Sequence, residues 1–397
     1  MAGDGGGQAG LSVPDAAVMI ARARDLQPFL RARAAQCETD RRVADATIAQ
    51  LRQARLFDVV KPRRYGGMGM GWDVFAEIVI ALAAGCGSTG WVYSVVGGHA
   101  PVVARFGTRF LDELWGPNPD ALLSSCRRGA GALEPVAGGY RVSGVGIFSS
   151  GVLHVDWVLI EGMPVARRDQ TVTIAVPRSE IAIVDTWNVV GLAGTGSHDI
   201  RFDDIFIPEH RVWYPGKPPA GEALDGALFR FPYLGGPFAL PAVALGIGIA
   251  GLEYFTALTH RRTNRSGASL ADQPAMQMRI GEAAVALDAA LALLRVKAKE
   301  LMACLAGAAP DLSGERSVLP PAGVAHGYDT ATSSFIAQSA YRALDGLMVA
   351  AGAHQLALSE PFQRCFRDAL AAIQQPSNNW DNGRMAGGRA LLDRIKG

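Results

Sequence analysis

The spacing of apolar residues changes twice along this 397-residue chain, and that double change limits the folds open to it. From Pro14 to about Asp120 the spacing is helical. Pro62-Arg-Arg-Tyr-Gly-Gly67 interrupts it, so helices are expected up to Leu56, over Trp72 to Ala84, and from Ser88-Thr89 onward, with Ser12 able to cap the first. Between Leu122 and about Tyr214 the period falls to two. Runs at Trp157-Val-Leu-Ile160, Val172-Thr-Ile-Ala-Val176 and Ile200 to Ile207 are separated by Gly, Pro and Asp, as in an antiparallel β-domain. Residues 215–237 form a Pro/Gly-rich connector. Helical spacing then returns over 240–263, 274–305, 321–355 and 359–374, with a loop from Ala306 to Pro321. A chain this long exceeds a single core. The expected fold class is therefore α+β, mainly α: a helical domain over 12–120, a β-barrel-like middle domain over 121–214, the connector, and a four-helix C-terminal bundle over 238–397.

Composition narrows the partners. Hydrophobic residues make up 49% against 19% charged, which indicates a large buried interior. A mean hydropathy of +0.15 suggests that some apolar surface is buried between subunits. The net charge of +1 comes with no basic stripe, which argues against nucleic acid or an anionic membrane as partner. Cys37, Cys86, Cys126, Cys304 and Cys365 are scattered and form no CxxC pair, so neither a metal site nor a disulfide framework is indicated; they read as free thiols in a reducing compartment. Met1 to Gly10 lacks the pattern of a signal peptide, and the run Phe238 to Leu252, interrupted by Pro241 and by glycines, is short for a bilayer. A cytoplasmic protein is expected.

One stretch carries chemistry. Gly138-Gly139 supplies a hairpin turn, and the strand that follows runs from Tyr140 into Phe148-Ser-Ser-Gly151. Such a strand end offers a flat ligand bare backbone and two hydroxyls, Ser149 and Ser150. On the third helix Trp91, Val95 and His99 recur every four residues and share a face.

The order of these segments, with the words inside them, resembles the acyl-CoA dehydrogenase fold. Within it the chain resembles the flavin-dependent monooxygenases of two-component systems, the group of 4-hydroxyphenylacetate and secosteroid-phenol hydroxylases. The pieces are Tyr65-Gly-Gly67, Gly87-Ser-Thr-Gly-Trp91 with His99, Leu123-Ser-Ser125, Gly138-Gly-Tyr140 through Gly151, Asp185-Thr-Trp187, Gly191-Leu-Ala-Gly-Thr-Gly-Ser197, Asp204 to His210, and Arg367-Asp368. The resemblance implies an oxygenase component, homotetrameric, that receives reduced FMN or FAD from a separate reductase. It reacts the flavin with O2 and, through a C4a-hydroperoxyflavin, hydroxylates an aromatic, polyketide or amine-bearing metabolite at carbon or nitrogen. It places Trp91, Ser125, Phe148, Ser149 and Ser150 beside the flavin, with Ser150 at N5, in a slot that excludes water. His99 falls where relatives carry a substrate-facing histidine, although a histidine on an apolar helical face is also an ordinary core residue. His154 lies just past the serine turn, and His198 follows a loop able to cradle flavin through its amides. Arg262 and Arg265, on the first long C-terminal helix, are either flavin-phosphate ligands or a solvated helix end.

Two positions depart from the family pattern. Where relatives carry a Glu or His base after Arg-Asp, this chain has Gln375, with Asn378 in the alternative register, and an amide cannot act as a general base. Gln375, Asn378 and Asn379 would then orient a polar substrate group, and either His99 activates the substrate alone or the substrate needs no base. A family arginine is Ala193 here. An FAD dehydrogenase of the same fold and a catalytically degenerate flavin-binding scaffold remain the alternatives.

Overall fold

The computed structural model describes residues 14–217, 221–222, 224–230, 238–307 and 326–396. Ser12, parts of the connector and most of the loop up to Pro321 lie outside them.

Seven helices open the chain: α1 (Ala16–Asp25), α2 (Gln27–Thr39), α3 (Asp45–Gln53), α4 (Trp72–Gly85), α5 (Gly87–Val96), α6 (Ala100–Val103) and α7 (Thr108–Trp115). Asp15 caps the first by accepting from the Ala17 amide at 3.3 Å. Gly90 lets α5 pack directly on α4, since a Cβ there would come within 2.6 Å of Ala83 Cα. The expectation of one helix running through His99 is corrected: Gly97-Gly98 ends α5, and His99 closes a short 3-10 turn, Gly97–His99.

The middle domain is one seven-stranded sheet of β1 (Leu123–Val136), β2 (Gly139–Ser149), β3 (Trp157–Pro164), β4 (Thr171–Pro177), β5 (Ala182–Val184), β6 (His198–Pro208) and β7 (Val212–Trp213), in the order β5-β6-β2-β1-β3-β4-β7. The β1–β2 hairpin turns at Gly138, whose φ is +79°. The sheet is mixed rather than antiparallel throughout. With β2 paired on one edge of β1, β3 joins the other edge running parallel to β1.

Five helices complete the chain: α8 (Ala239–Arg261), α9 (Pro274–Leu305), α10 (His326–Ala351), α11 (Pro361–Ala372) and α12 (Trp380–Lys396). By length and composition α8 could cross a bilayer, but 61% of its apolar window is buried inside the protein, where it packs against α4, α10 and α11. The last helix, α12, is one more than the sequence pattern indicates. Its glycines dilute the apolar period yet let it dock, because a Cβ on Gly383 would clash with Ser334 Oγ of α10 at 1.7 Å. The larger of two buried clusters runs from Met19 of α1 through the sheet to Ala372 of α11, and the smaller joins α6 and α7 to β1, β3, β4 and β7.

Candidate active site

The end of β2 is held in place by paired, buried hydroxyls. Phe148 takes φ 60° and Gly151 φ 73°, turning the chain sharply under α5. A Cβ on Gly151 would sit 3.0 Å from both Val92 and Val96, so only glycine fits this close beneath the helix. Ser149 is wholly buried and its Oγ lies 3.1 Å from Ser124 Oγ. Ser150 Oγ accepts from the Trp91 indole N–H at 3.1 Å and lies 2.7 Å from Ser197 Oγ. Ser197 in turn lies 2.7 Å from Thr195 Oγ1, and Thr195 donates to the Leu192 carbonyl at 2.8 Å.

Bookkeeping of the protons fixes the direction of this chain. A hydroxyl has one proton. Thr195 gives its proton to the carbonyl, so Ser197 donates to Thr195 and Ser150 donates to Ser197. Trp91 N–H supplies Ser150 from behind. Ser150 is therefore left with a free lone pair and no free proton: toward a ligand at the strand end it is an acceptor only.

The far end of the chain is anchored on the helical bundle. Leu192 sits at φ 54°, a left-handed position costly for a branched residue. Its carbonyl also accepts from Trp187 Nε1 at 3.1 Å, and its amide donates to Asp368 Oδ1 of α11 at 2.6 Å. Neighbouring Gly191 packs on the Arg367 backbone, where a Cβ would come 2.1 Å from the carbonyl oxygen. Burial raises the Asp368 carboxyl to about 7, opposed by the Leu192 amide.

The remaining candidates fall in several places. Ser124 and Ser125 point to opposite sides of β1; Ser124 meets Ser149, while Ser125 hydrogen-bonds Glu161 on the other face. Phe148 is 58% exposed and meets Trp187 edge-on at 6.1 Å, with exposed Val190 nearby in sequence. His99 is buried, its Nδ1 has no hydrogen-bond partner among the described residues, and desolvation lowers its pKa to about 4 against a smaller upward pull from the Val95 and Leu123 carbonyls. Eight residues beyond Trp91, it lies roughly 12 Å farther along the helical path, and no hydrogen bond joins it to Ser150 among the described residues. His154 is held down to about 4 chiefly by burial and lies 3.4 Å from Asp45 of α3. His198 accepts from the Trp187 amide on Nδ1 at 3.4 Å.

The arginine placement is corrected. The helix α8 ends at Arg261, so Arg262 and Arg265 lie beyond it; Arg262 donates to Ala351 O, capping α10, and Arg265 is exposed. Gln375 Oε1 accepts from the Ser377 amide at 2.6 Å, Asn378 is buried and donates to Ala372 O at 3.0 Å, and Asn379 Oδ1 accepts from Asn382 N at 3.1 Å at the start of α12. Among the described residues no hydrogen bond ties these three to the sheet.

The water-excluding slot expected beside Ser149 and Ser150 is not closed by one chain among the described residues. Two cavities stand out, one of about 40 Å³ near Lys61 and Leu123 and one of about 110 Å³ at Cys37 and Cys86, and neither borders Ser149 or Ser150. What the strand end offers is an open ledge: an exposed aromatic ring on strained backbone, backed by the acceptor oxygen of Ser150. An apolar ledge of this kind fits one face of a flat isoalloxazine ring. Sequence reasoning passed over Ser124, Thr195, Ser197 and the anchoring role of Asp368. Thr195, Ser197 and Asp368 lie inside motifs it quoted, but their spatial convergence on Ser150 leaves no local pattern.

Comparison with known proteins bears on this geometry. Family models for the acyl-CoA dehydrogenase N-terminal domain match residues 19–118, and for its C-terminal domain residues 238–379. A FADH2-dependent resorcinol hydroxylase, oxygenase component, from a Rhizobium species is 35% identical, covering 94% of each chain. The crystal structure of the HsaA monooxygenase from M. tuberculosis superimposes with a TM-score of 0.85 at 29% identity, over 96% of this chain and 100% of that one. XiaF from Streptomyces, solved in complex with FADH2 and glycerol, gives a TM-score of 0.81 at 26% identity, over 95% and 96% of the two chains.

Proposed function

Since the chain belongs to the flavin-dependent monooxygenases that serve as oxygenase components of two-component systems, we propose that it oxygenates a small electron-rich aromatic or amine substrate without first removing a proton from it. The observation that carries this reading is the weakness of both groups available as base. Gln375 is an amide, and the His99 imidazole has a pKa near 4. The burial that lowers the His99 imidazole also makes it a poor acceptor for a phenol proton.

Bound reduced flavin supplies, with O2, the single oxygen atom transferred. The residues of the chain supply its surroundings. Phe148 and Trp187 form the ledge for the ring. Ser150 accepts the flavin N5–H with its spare lone pair and, with its own proton committed to Ser197, offers none in return; a site that neither takes nor gives a proton at N5 suppresses loss of the oxygen as peroxide. His99, neutral, orients the substrate by a hydrogen bond from or to its unpartnered Nδ1. Gln375, whose amide nitrogen has no partner among the described residues, would donate to a second polar group.

The second wall of the site comes from another subunit in a homotetramer. This assembly is supported by large apolar side chains left exposed on the last helices, including Met278, Val285, Val349 and Met385. Reduced FMN or FAD arrives by diffusion from a separate reductase.

The test pairs substrates that differ only in an ionisable proton. Phenols, their methyl ethers, anilines and indole are offered with photoreduced flavin and O2. Comparable rates for a phenol and its ether support the reading; turnover of phenols alone, rising with phenol ionisation, overturns it. The dehydrogenase alternative lacks a proton-abstracting carboxylate at position 375 and predicts products two hydrogens lighter.

A further inference from the structure

Away from the strand end, two thiols share the larger cavity. Cys37 of α2 and Cys86, at the N-cap position of α5, are both buried and free, and both line the space of about 110 Å³ together with Arg33, Gln36, Asp40 and Thr89. A water occupies about 30 Å³ in the liquid, so this space admits a molecule the size of hydrogen peroxide. The two thiols face the same space, close enough that each shifts the titration of the other. Cys37 also has the Gly194 carbonyl as an acceptor, at 3.8 Å.

We propose that Cys86 and Cys37 form a peroxide-reactive dithiol in which Cys86 is the attacking sulfur and Cys37 the resolving one. The Cys86 thiolate attacks one oxygen of hydrogen peroxide, breaking the O–O bond to give a sulfenic acid and hydroxide. The Cys37 thiol then attacks the Cys86 sulfur, forming the disulfide and expelling water as its proton is taken up. Two thiols lose two electrons and one peroxide becomes two waters.

The assignment of roles follows from the surroundings. Cys86 is the N-cap residue of α5, at the end where the helix amides begin. Cys37 beside it, then Thr89 and the Ser88 and Thr89 amides, pull the Cys86 thiol below the ordinary thiol range, against burial. Cys37 moves upward, because of Cys86 and burial, and Asp368 and Asp40 push it the same way.

The pair also touches the loop that holds Ser150. A Cβ on Gly194 would lie 2.4 Å from Cys37 Sγ, so the Ala193–Thr195 turn rests on this sulfur without slack. Drawing Cys37 toward Cys86 withdraws that support and loosens the loop carrying Thr195 and Ser197. The reading of the chain as a monooxygenase names the physiological source, since lost oxygen appears as peroxide beside this pair; the thiol chemistry itself does not depend on that reading.

Hydrogen peroxide is added directly to the full-length protein, without flavin, and peptides are read by mass spectrometry. The expected result is a Cys37–Cys86 crosslinked peptide, two hydrogens lighter and restored by dithiothreitol, formed on the order of tenfold faster than oxidation of the more exposed Cys304. In Cys37→Ser a dimedone adduct is expected on Cys86, and in Cys86→Ser none on Cys37. Oxidation of Cys304 with no crosslink overturns the proposal, as does an adduct on Cys37 in Cys86→Ser. If the variants fail to fold, the wild-type crosslink decides alone.

Discussion

Asp368 of α11 accepts the backbone N–H of Leu192 at 2.6 Å, so one carboxylate of the helical bundle fixes the loop whose hydroxyls orient Ser150. Everything from Leu192 through Thr195 and Ser197 to Ser150 and Trp91 follows from that contact. The carboxylate is buried, and burial lifts it to about 7 from its ordinary value of 3.8. Between those values the folded state holds the proton that the unfolded state has released, so stability falls as pH rises from about 4 to 7. Asp368→Asn keeps an acceptor and removes the titration. Its melting temperature should gain on the wild type between pH 5 and pH 8, by an amount equivalent to a few kcal/mol at most. Parallel curves for the two proteins would contradict the assignment.

Breaking the hydroxyl chain at different links should have different effects. Ser150→Ala strands the buried Trp91 N–H and removes the acceptor at the strand end; a loss of about 1–3 kcal/mol in stability and a large rise in peroxide released per product are expected. Ser197→Ala leaves Trp91 bonded to Ser150 but frees the Ser150 proton. A smaller stability loss, with peroxide release still above wild type, is the expected outcome. Denaturant melts and peroxide-to-product ratios measure both. An unchanged ratio in Ser150→Ala would remove that residue from its role.

His99 is neutral at physiological pH because burial lowers its pKa to about 4. Its folded value lies below the unfolded value of 6.5, so its contribution to stability is full above 6.5 and is lost as pH falls toward 4. His99→Asn should flatten that acid limb, by roughly 3 kcal/mol at most, while His154, lowered in the same way, keeps part of it. His99→Ala should reduce product formation more than binding of reduced flavin. Equal losses in both would make it a core residue.

Arg262 donates to the carbonyl of Ala351, the last residue of α10, at 2.9 Å. Arg262→Ala should therefore lower the melting temperature, by the equivalent of about 1–2 kcal/mol, and leave the dissociation constant for reduced flavin unchanged. A tenfold weakening of flavin binding, with stability intact, would return Arg262 to the cofactor.

The layout of the chain was legible because period and punctuation are local. The change at Leu122, the Gly138 turn and the break at Pro62 each leave a mark on adjacent residues. What was not legible depended on register or distance. Choosing between Ser124 and Ser125 needs the strand's first residue, since a shift of one reverses the face. Reading α12 needs Ser334, forty-nine positions before Gly383. The Ser150–Ser197 contact spans forty-seven positions, and the Leu192–Asp368 contact 176. The direction of the hydroxyl chain, which makes Ser150 an acceptor, follows only once all its members are placed.

The most direct test of the account is the fate of the oxygen atoms. The protein is mixed with photoreduced FMN or FAD under 18O2, with the methyl ether, aniline and indole panel. The account predicts a product carrying one atom of 18O for each flavin oxidised, at a yield that collapses in Ser150→Ala while labelled peroxide rises. A product lighter by two hydrogens, or label found only in peroxide with the wild-type protein across the whole panel, would contradict it.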